Sequence, residues 1–585
     1  MNMVTSIILR RMRSPFLLLI AVYSIAIVGM VLIPGIDDQG NVWHMSIFHA
    51  FYFVSYTATT IGFGEIPYTL TDGQRLWALV IVYSSVISWF YALGTVVTLI
   101  RNETFREVLA RSRFSANVKS IRRPFYLVCG LGETGKAVVK ALTEELFRVV
   151  VVEKNPQSLS ELDLNELMEY VPGISGDASE PKTLELAGIR HPMCQGVIAV
   201  TASDEINLKI AITSKLLHPN IPVACRSEFK DVEDNMLSFG TNYIVNPYET
   251  FADIFSMVML SPSHHLIYDW LTGAPDTKLT DPIYFKHGPW ILCGYGRFGV
   301  RLYQHLSDSN IPTTVIDPVG KLKSEFDPDI KNQGNQFIIG TGTDAETLKN
   351  SGVESAAGII AGSDNDSNNL SIIMTARELN PDIFVVARQN IWSNKILYSS
   401  TNASLIMHPR EIIARKIRAL FLTPLLITFM EMTKQRNSEW ANVTISRLSA
   451  VVGESRPHVW TVDINEDTAP AVVTSLKHGR SIKIGHLTQD PGNRASLLAC
   501  VPLLLVRNNK KILMPEDEFE ILAGDQILFC GTPDVKSNMR WTLKVQRSLN
   551  YVMTFTAEPE SLIWRTLYRL RNKSERRLKS RNRNN

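Results

Sequence analysis

The sequence predicts a helical membrane domain of two spans, then two doubly wound parallel-sheet α/β domains, then a small α+β subdomain. Three observations carry this. Residues 16–33 and 76–100 are runs of 18 and 25 residues without a formal charge, each sufficient to cross a bilayer. A unit of apolar strand, glycine turn, helix and second strand ending in an acid occurs twice, starting near residues 126 and 290. Beyond residue 441 short apolar runs, expected as strands over 461–463, 481–486, 502–506, 520–522 and 526–529, alternate with polar, glycine-containing turns. The implied layout is a membrane domain over 1–100, with a linker over 101–124 that begins as a continuation of the second spanning helix, and α/β domains over 125–250 and 289–410. Apolar helices occupy 251–288 and 411–440, the C-terminal subdomain 441–548, and a basic tail 549–585.

Composition excludes some classes. Across 585 residues, 60 Lys and Arg against 57 Asp and Glu leave no overall excess to recruit a nucleic acid. Six cysteines, at 129, 194, 225, 293, 500 and 530, form no CxxC pair. They predict neither a zinc site nor a disulfide framework, but reduced core thiols.

Arg10, Arg11 and Arg13 precede the first apolar run, and Ser14 and Pro15 are expected to start its helix. A signal peptide shares the basic start, but no small-residue cleavage site follows. Pro34, Gly35, Asp37 and Asp38 end the span. Residues 42–58 carry Trp43, Phe48, Phe51, Tyr52, Phe53 and Tyr56. They read as a short re-entrant helix aiming its negative C-terminal end at a cation, or else as an amphipathic surface helix.

Next comes Thr59-Thr60-Ile61-Gly62-Phe63-Gly64. Alternating glycines let successive carbonyls turn one way, so that four copies around an axis replace the water shell of a dehydrated cation. The run resembles the potassium-channel filter of threonine, aliphatic, glycine, aromatic, glycine, with K+ held at Thr60, Ile61, Gly62 and Phe63. Two departures stand out: Phe63 occupies the usual tyrosine position, and Glu65 the usual aspartate position at the outer mouth. The second span then lines the pore. Its Gly94 is either a gating hinge or a site of close helix packing. Arg101, Arg106, Arg111, Arg113, Lys119, Arg122 and Arg123 follow that span, whereas Arg75 is the only Lys or Arg between the spans. The positive-inside rule puts both termini in the cytoplasm and the filter loop outside.

In the first α/β unit, Gly130, Gly132, Glu133, Thr134 and Gly135 form the turn, and the second strand ends at Glu153. In the second, Gly294, Gly296, Arg297, Phe298 and Gly299 form it, and the strand ends at Asp317. Strand, glycine turn, helix, strand and acid together make the dinucleotide fingerprint: a tight turn, close approach to a pyrophosphate and an acid for ribose hydroxyls. The repeat continues, with Asp177 matching Asp344, Arg226 matching Arg388, and Asn246-Pro247 matching His408-Pro409.

Two spans, a potassium filter and tandem glycine-motif domains resemble the prokaryotic ligand-gated potassium channels with tandem RCK (KTN) domains. The resemblance covers the pore and nearly all of residues 125–545. It implies a multi-pass protein of the cell (inner) membrane, and a homotetramer with eight RCK domains in a cytosolic gating ring. It further implies that the apolar helices after each α/β unit cross to the partner domain, where an ordinary core role is the alternative. Glu153 and Asp317 favour NAD or an adenine nucleotide such as ADP. The resemblance implies that Asp177 and Asp344 close the adenine side, and Arg226, Arg297 and Arg388 reach the phosphates, or form surface ion pairs instead.

The run from Gly130 to Lys136 approaches a Walker loop, but Ala137 stands where the magnesium-binding hydroxyl belongs, which argues against ATP hydrolysis. Glu516, Asp517, Glu518 and Glu520 read as a solvated turn, with Ca2+ binding the sharper alternative. The tail from residue 567, with Arg569, Arg571, Lys573, Arg576, Arg577, Lys579, Arg581 and Arg583, is a solvated segment or an anchor to anionic lipid. A membrane-tethered NAD-dependent oxidoreductase needs a substrate domain with a general acid or base, and leaves the filter unexplained. A regulatory subunit of a potassium transporter needs no filter of its own.

Overall fold

The computed structural model describes residues 3–64, 66–164, 170–273, 278–318, 335–493 and 495–554. Two compact units divide it, essentially Met1–Arg122 and Arg123–Asn585.

In the first unit, α1 (Met3–Leu32) and α3 (Asp72–Arg101) are the long helices. Each contains a stretch apolar enough to cross a membrane. Phe16, Leu17, Ile20, Leu76, Leu79 and Phe90 lie exposed on them, as lipid-facing residues do. Between them β1 (Gly35–Ile36) pairs antiparallel with β2 (Val42–Trp43), and α2 (Ile47–Ala58) follows. Three expectations are corrected here. Pro15 lies inside α1 rather than starting it, where the long apolar run that follows outweighs proline's local penalty. Residues 42–58 are not one helix. The Asp37 carboxylate accepts from the Gln39 and Asn41 amides at 2.9 and 2.8 Å and closes a hairpin, so α2 starts only behind the Ser46 cap. The linker is no continuation of α3. Asn102 ends α3, and its side chain accepts from Phe105 N–H at 3.1 Å to cap α4 (Glu103–Lys119).

The second unit holds two parallel six-stranded sheets of the same topology. The first comprises β3 (Phe125–Cys129), α5 (Glu133–Glu144), β4 (Arg148–Glu153), α6 (Pro156–Leu164), β5 (Gly173–Ser175) and α7 (Pro181–Leu186). It continues through β6 (Cys194–Ala199), α8 (Asp204–Leu217), β7 (Val223–Arg226), α9 (Lys230–Ser238) and β8 (Tyr243–Val245), in the order β5-β4-β3-β6-β7-β8. After α10 (Pro247–Leu260) and α11 (Pro262–Thr272) the second sheet begins with β9 (Trp290–Cys293), α12 (Arg297–Asp308), β10 (Thr313–Asp317), β11 (Gln336–Ile339) and α13 (Ala345–Asn350). It ends with β12 (Gly358–Ala361), α14 (Asp366–Leu379), β13 (Phe384–Arg388), α15 (Lys395–Ser400) and β14 (Leu405–Met407), in the order β11-β10-β9-β12-β13-β14. Val128 sits opposite Val151 and Ile198, as Leu292 does opposite Val315 and Ile360. The order reverses direction at the first strand of each sheet, which opens a crevice at the strand ends beside each glycine turn.

The helices after each sheet exchange. Tyr248, Phe251 and Phe255 of α10 join the core of the second sheet with Trp290, Phe298 and Leu302. Conversely, Ile413 and Ile417 of α16 (Pro409–Leu422) join Val128, Leu131 and Val138 under the first. Burial of such side chains stabilises by roughly 1.5–3 kcal/mol each, so each sheet depends on a helix from the other.

α17 (Pro424–Thr433) and α18 (Ser438–Val452) lead to a four-stranded antiparallel sheet of β15 (His458–Asp463), β16 (Cys500–Arg507), β17 (Lys510–Leu513) and β18 (Gln526–Gly531), in the order β15-β18-β16-β17. α19 (Pro470–Lys477), α20 (Ile484–Leu487), α21 (Val535–Lys544) and α22 (Gln546–Thr554) complete the subdomain. Its start is helical rather than stranded. Two expected strands, 481–486 and 520–522, are reduced to α20 and a single Lys483–Glu520 bridge. Leu549 and Val552 of α22 are fully buried, so the subdomain runs past residue 548. All six cysteines are buried thiols. The tail residues from 567 lie outside the described residues, as does Glu65.

Candidate functional site

In the first unit the chain folds back over the C-terminal end of α2. Thr60 N–H donates to the Thr57 carbonyl at 3.1 Å, and Ile61 and Gly62 N–H both donate to the Tyr56 carbonyl at 3.0 and 3.2 Å. Thr59 Oγ1 donates to the Ser55 carbonyl at 2.7 Å. Positive φ then recurs at every second residue: 60° at Thr60, 64° at Gly62 and 72° at Gly64. Such alternation aligns successive peptide groups, the arrangement a carbonyl-lined ion path requires. For a β-branched residue such as Thr60 the left-handed region costs about 1–3 kcal/mol, and strain of that kind clusters at functional sites. Phe63 sets its ring edge against Tyr56, with centroids 6.4 Å apart.

Gly94 lies in an unbroken α3, and a Cβ there would meet nothing within 4 Å. Within this chain, close packing does not call for glycine at that position. Gly29 is the packing glycine: a Cβ would fall 2.1 Å from the Trp77 ring, whose Nε1 donates to the Ala26 carbonyl at 3.1 Å.

In the second unit the glycine turns share one geometry. Gly130 and Gly294 have φ of 98° and 100°. A Cβ on Gly135 or Gly299 would fall 2.0 Å from the carbonyl oxygen of Gly130 or Gly294. Only glycine allows the helix to start this close to the strand. Each second-strand acid braces its turn. The Glu153 carboxylate accepts from Leu131 N–H, and from Asn155 N–H at 2.8 Å. Asp317 accepts from Tyr295 N–H at 2.7 Å.

A cavity of about 650 Å³ opens over the first turn, within the range of small-ligand sites. Gly130, Gly132, Glu133, Thr134, Glu153, Asp177 and Arg226 line it, together with Arg297 and Arg388 from the second domain. Its charged groups are interlocked. Arg226 and Arg297 both pair with Glu228, the latter at 2.5 Å. Arg388 pairs with Asp364 at 2.5 Å and donates to Tyr248 Oη at 3.2 Å. Arg410 pairs with Glu133 at 2.5 Å and lies 3.5 Å above the Trp392 ring. The Ser179 hydroxyl and N–H hold the Asp177 carboxyl below its usual range, while burial pushes Arg410 down against the opposing pull of Glu133. Yet Nε of Arg226, Arg388 and Arg410 and the Gln389 amide oxygen are buried without a hydrogen-bond partner among the described residues. The three leftover Nε–H donors are what a phosphate-bearing ligand satisfies, and the Gln389 oxygen is an acceptor open to a ligand hydroxyl or amine.

Not every residue singled out by sequence lies here. Phe298 is fully buried against Tyr248 and Phe251, so it packs the core and touches no ligand. Gly135 and Gly299 sit behind their turns. Asp317 is 8% exposed. Asp344 is an exposed cap of α13, accepting from Thr347 N–H at 2.9 Å. In the acidic cluster Glu518 pairs with Lys483 and Glu520 accepts from the Ser481 hydroxyl at 2.6 Å. Among the described residues no three His, Cys, Asp or Glu are grouped to hold a metal. Glu228, Tyr248, Asp364, Trp392 and Arg410 were missed. Arg410 carried a signal, since a cation in the first turn of a helix runs against the helix dipole.

Residues 16–102 match the ion channel family, and residues 126–247 and 290–409 each match the TrkA-N domain family. The chain thus joins an ion-channel domain to two TrkA-N (RCK) domains. Potassium channel protein 1 of Methanocaldococcus jannaschii is 26% identical over 205 residues, 34% of this chain and 59% of its own. Probable potassium channel protein 2 of the same organism is 27% identical over 201 residues, 34% of this chain and 57% of its own. This channel chain thus spans less than two thirds of either relative's length. A solved structure described as the GsuK channel bound to NAD is similar over 92% of this chain and 99% of its own, at 16% identity and a TM-score of 0.47.

Proposed function

We propose that the protein is a potassium-selective channel whose conductance is set by a nucleotide, NAD or ADP, bound in the cleft over the first glycine turn. The observation that carries this reading is the pairing of two features in one chain. One is the alternating backbone at Thr60, Gly62 and Gly64 between two spanning helices. The other is a glycine-turn cavity closed by arginines of the second α/β domain. Four chains surround the ion path, which Thr60, Ile61, Gly62 and Phe63 line with carbonyls, and both termini and all α/β domains face the cytoplasm.

Because the cavity spans both α/β domains, a bound phosphate competes with Glu133, Glu228 and Asp364 for the arginines and so biases the angle between the domains. Gly94 is the hinge on which α3 responds. Ligand acts only through its differential affinity for the two states. Moving the pore from 1% to 99% open takes about 5.5 kcal/mol, or about 1.4 kcal/mol at each of the four such clefts in a tetramer. The test is ion flux through the purified protein in liposomes, potassium against sodium, with and without NAD and ADP. Selective flux that changes with nucleotide is expected. Equal flux of both ions, or flux indifferent to either nucleotide while it remains bound, overturns the reading.

A further inference from the structure

A second cavity, of about 430 Å³, lies where the first α/β domain, the exchanged helices and the C-terminal subdomain meet. Arg415 and Arg418 of α16, Arg456 and His458 around the start of β15, and Lys536 of α21 all face it. Among the described lining residues only two carboxylates, Glu145 and Asp463, oppose these four permanent cations. Some of the charge is already engaged. Arg415 pairs with Asp269 at 2.7 Å and Arg456 with Glu145 at 3.5 Å, while Arg418 caps α11 by donating to the carbonyls of Thr272 and Gly273. Asp463 accepts the Gln526 amide at 2.7 Å. Lys536 has no ion pair among the described residues.

Three buried polar atoms of the lining, Arg456 Nε, His458 Nδ1 and Thr461 Oγ1, have no hydrogen-bond partner among the described residues. The wall also includes the N-terminus of α17, at Thr423, Pro424 and Leu425, which has no side-chain cap. A helix N-terminus, convergent guanidinium groups and surplus donors are the elements of a phosphate site. The cations strain against each other. Burial pushes Arg418 down to about 10, with Arg456 adding to the shift. Burial likewise lowers Lys536 and, aided by Lys536 itself, His458.

We propose that this cavity is a second ligand site, for a small anion bearing a diphosphate, which clamps the C-terminal subdomain onto α16 and the first α/β domain. It shares no lining residue with the glycine-turn cavity. The two cavities can therefore be filled at once.

The test is thermal melting of the full-length protein in detergent, with inorganic pyrophosphate as probe and ADP in parallel, so that free and esterified diphosphate are told apart. Gly132→Glu serves as the background, because a Cβ at Gly132 meets no atom within 4 Å and the added carboxylate repels phosphate from the first site. In that background at least one probe is expected to raise the melting temperature, and whether pyrophosphate suffices or ADP is required tells the free from the esterified form. Adding Lys536→Glu should abolish the rise and, by relieving cation repulsion, raise the melting temperature without ligand. Lys536→Gln should weaken the response about tenfold in apparent Kd, and stands in if the charge reversal fails to fold. No response to either probe in Gly132→Glu, or a response that survives at Lys536, overturns the proposal.

Discussion

Arg410, at the start of the helix after the second α/β domain, pairs with Glu133 in the glycine turn of the first at 2.5 Å. The helix that buries its apolar face under the first sheet thus also delivers a cation to the cavity over that sheet's glycine turn. Glu133 stands where a pyrophosphate would lie, and Arg410 offsets its charge. Arg410→Gln should therefore weaken nucleotide binding about tenfold, the scale of one charge-assisted hydrogen bond. Glu133→Gln should leave binding equal or tighter, and the double variant should fall between. Calorimetric titration of the full-length protein with NAD and ADP measures all three.

In the proposed filter, Gly62 has φ of 64°, and a Cβ there would meet nothing of its own chain within 4 Å. Gly62→Ala therefore meets backbone strain of about 1–2 kcal/mol and no clash. The expected result is a folded protein that has lost potassium-over-sodium selectivity, read by liposome flux beside a melting curve.

Two glycines of the spanning helices should separate packing from gating. Gly29→Ala drives a methyl into Trp77, and should lower the melting temperature of the membrane unit by the cost of overpacking, about 1–3 kcal/mol. Gly94→Ala meets no neighbour, so the melt should stay unchanged while the nucleotide dependence of flux shifts.

Glycine and serine inserted beside Asn102, where α3 gives way to α4, should uncouple ligand from pore. Selectivity persists and the flux response to nucleotide disappears.

Stability should fall as pH drops below about 6.5. Burial lowers His264 and His458 from 6.5, so in the window below that value the unfolded chain binds more protons than the folded one. Stability is fully present above 6.5 and is lost as pH falls through the lowered folded values. Asp177, Asp344 and Asp366, also held low, extend the loss further into acid. Urea unfolding midpoints between pH 7.5 and 4 check the direction.

Both spans and both glycine turns were legible because each rests on local chemistry: uncharged length in one case, and positions where only hydrogen fits in the other. Gly135 and Gly299 are written into the sequence by the carbonyls they press against. What was not legible depends on partners distant in the chain. Glu228 meets Arg226 two residues away but also Arg297, and Arg388 reaches Tyr248 across the domain boundary. Phe298 was misplaced for the same reason. Its position beside a ligand-binding turn suggested contact with ligand, whereas α10 of the other domain had already covered it. The hairpin at residues 35–43 was lost because two apolar residues, Val42 and Trp43, continue the aromatic pattern of the helix behind them.

The helix exchange has a consequence for how the cytosolic half holds together. Two domains that trade helices across separate chains must find each other at a rate set by concentration, and part again on dilution. Here α10 and α16 belong to one polypeptide, so the partner's effective concentration is fixed by the connector and not by expression level. The paired unit is thus assembled once, during the folding of a single chain. Its cost is that neither domain can be excised, since cutting between them would strip each sheet of the helix that closes its core.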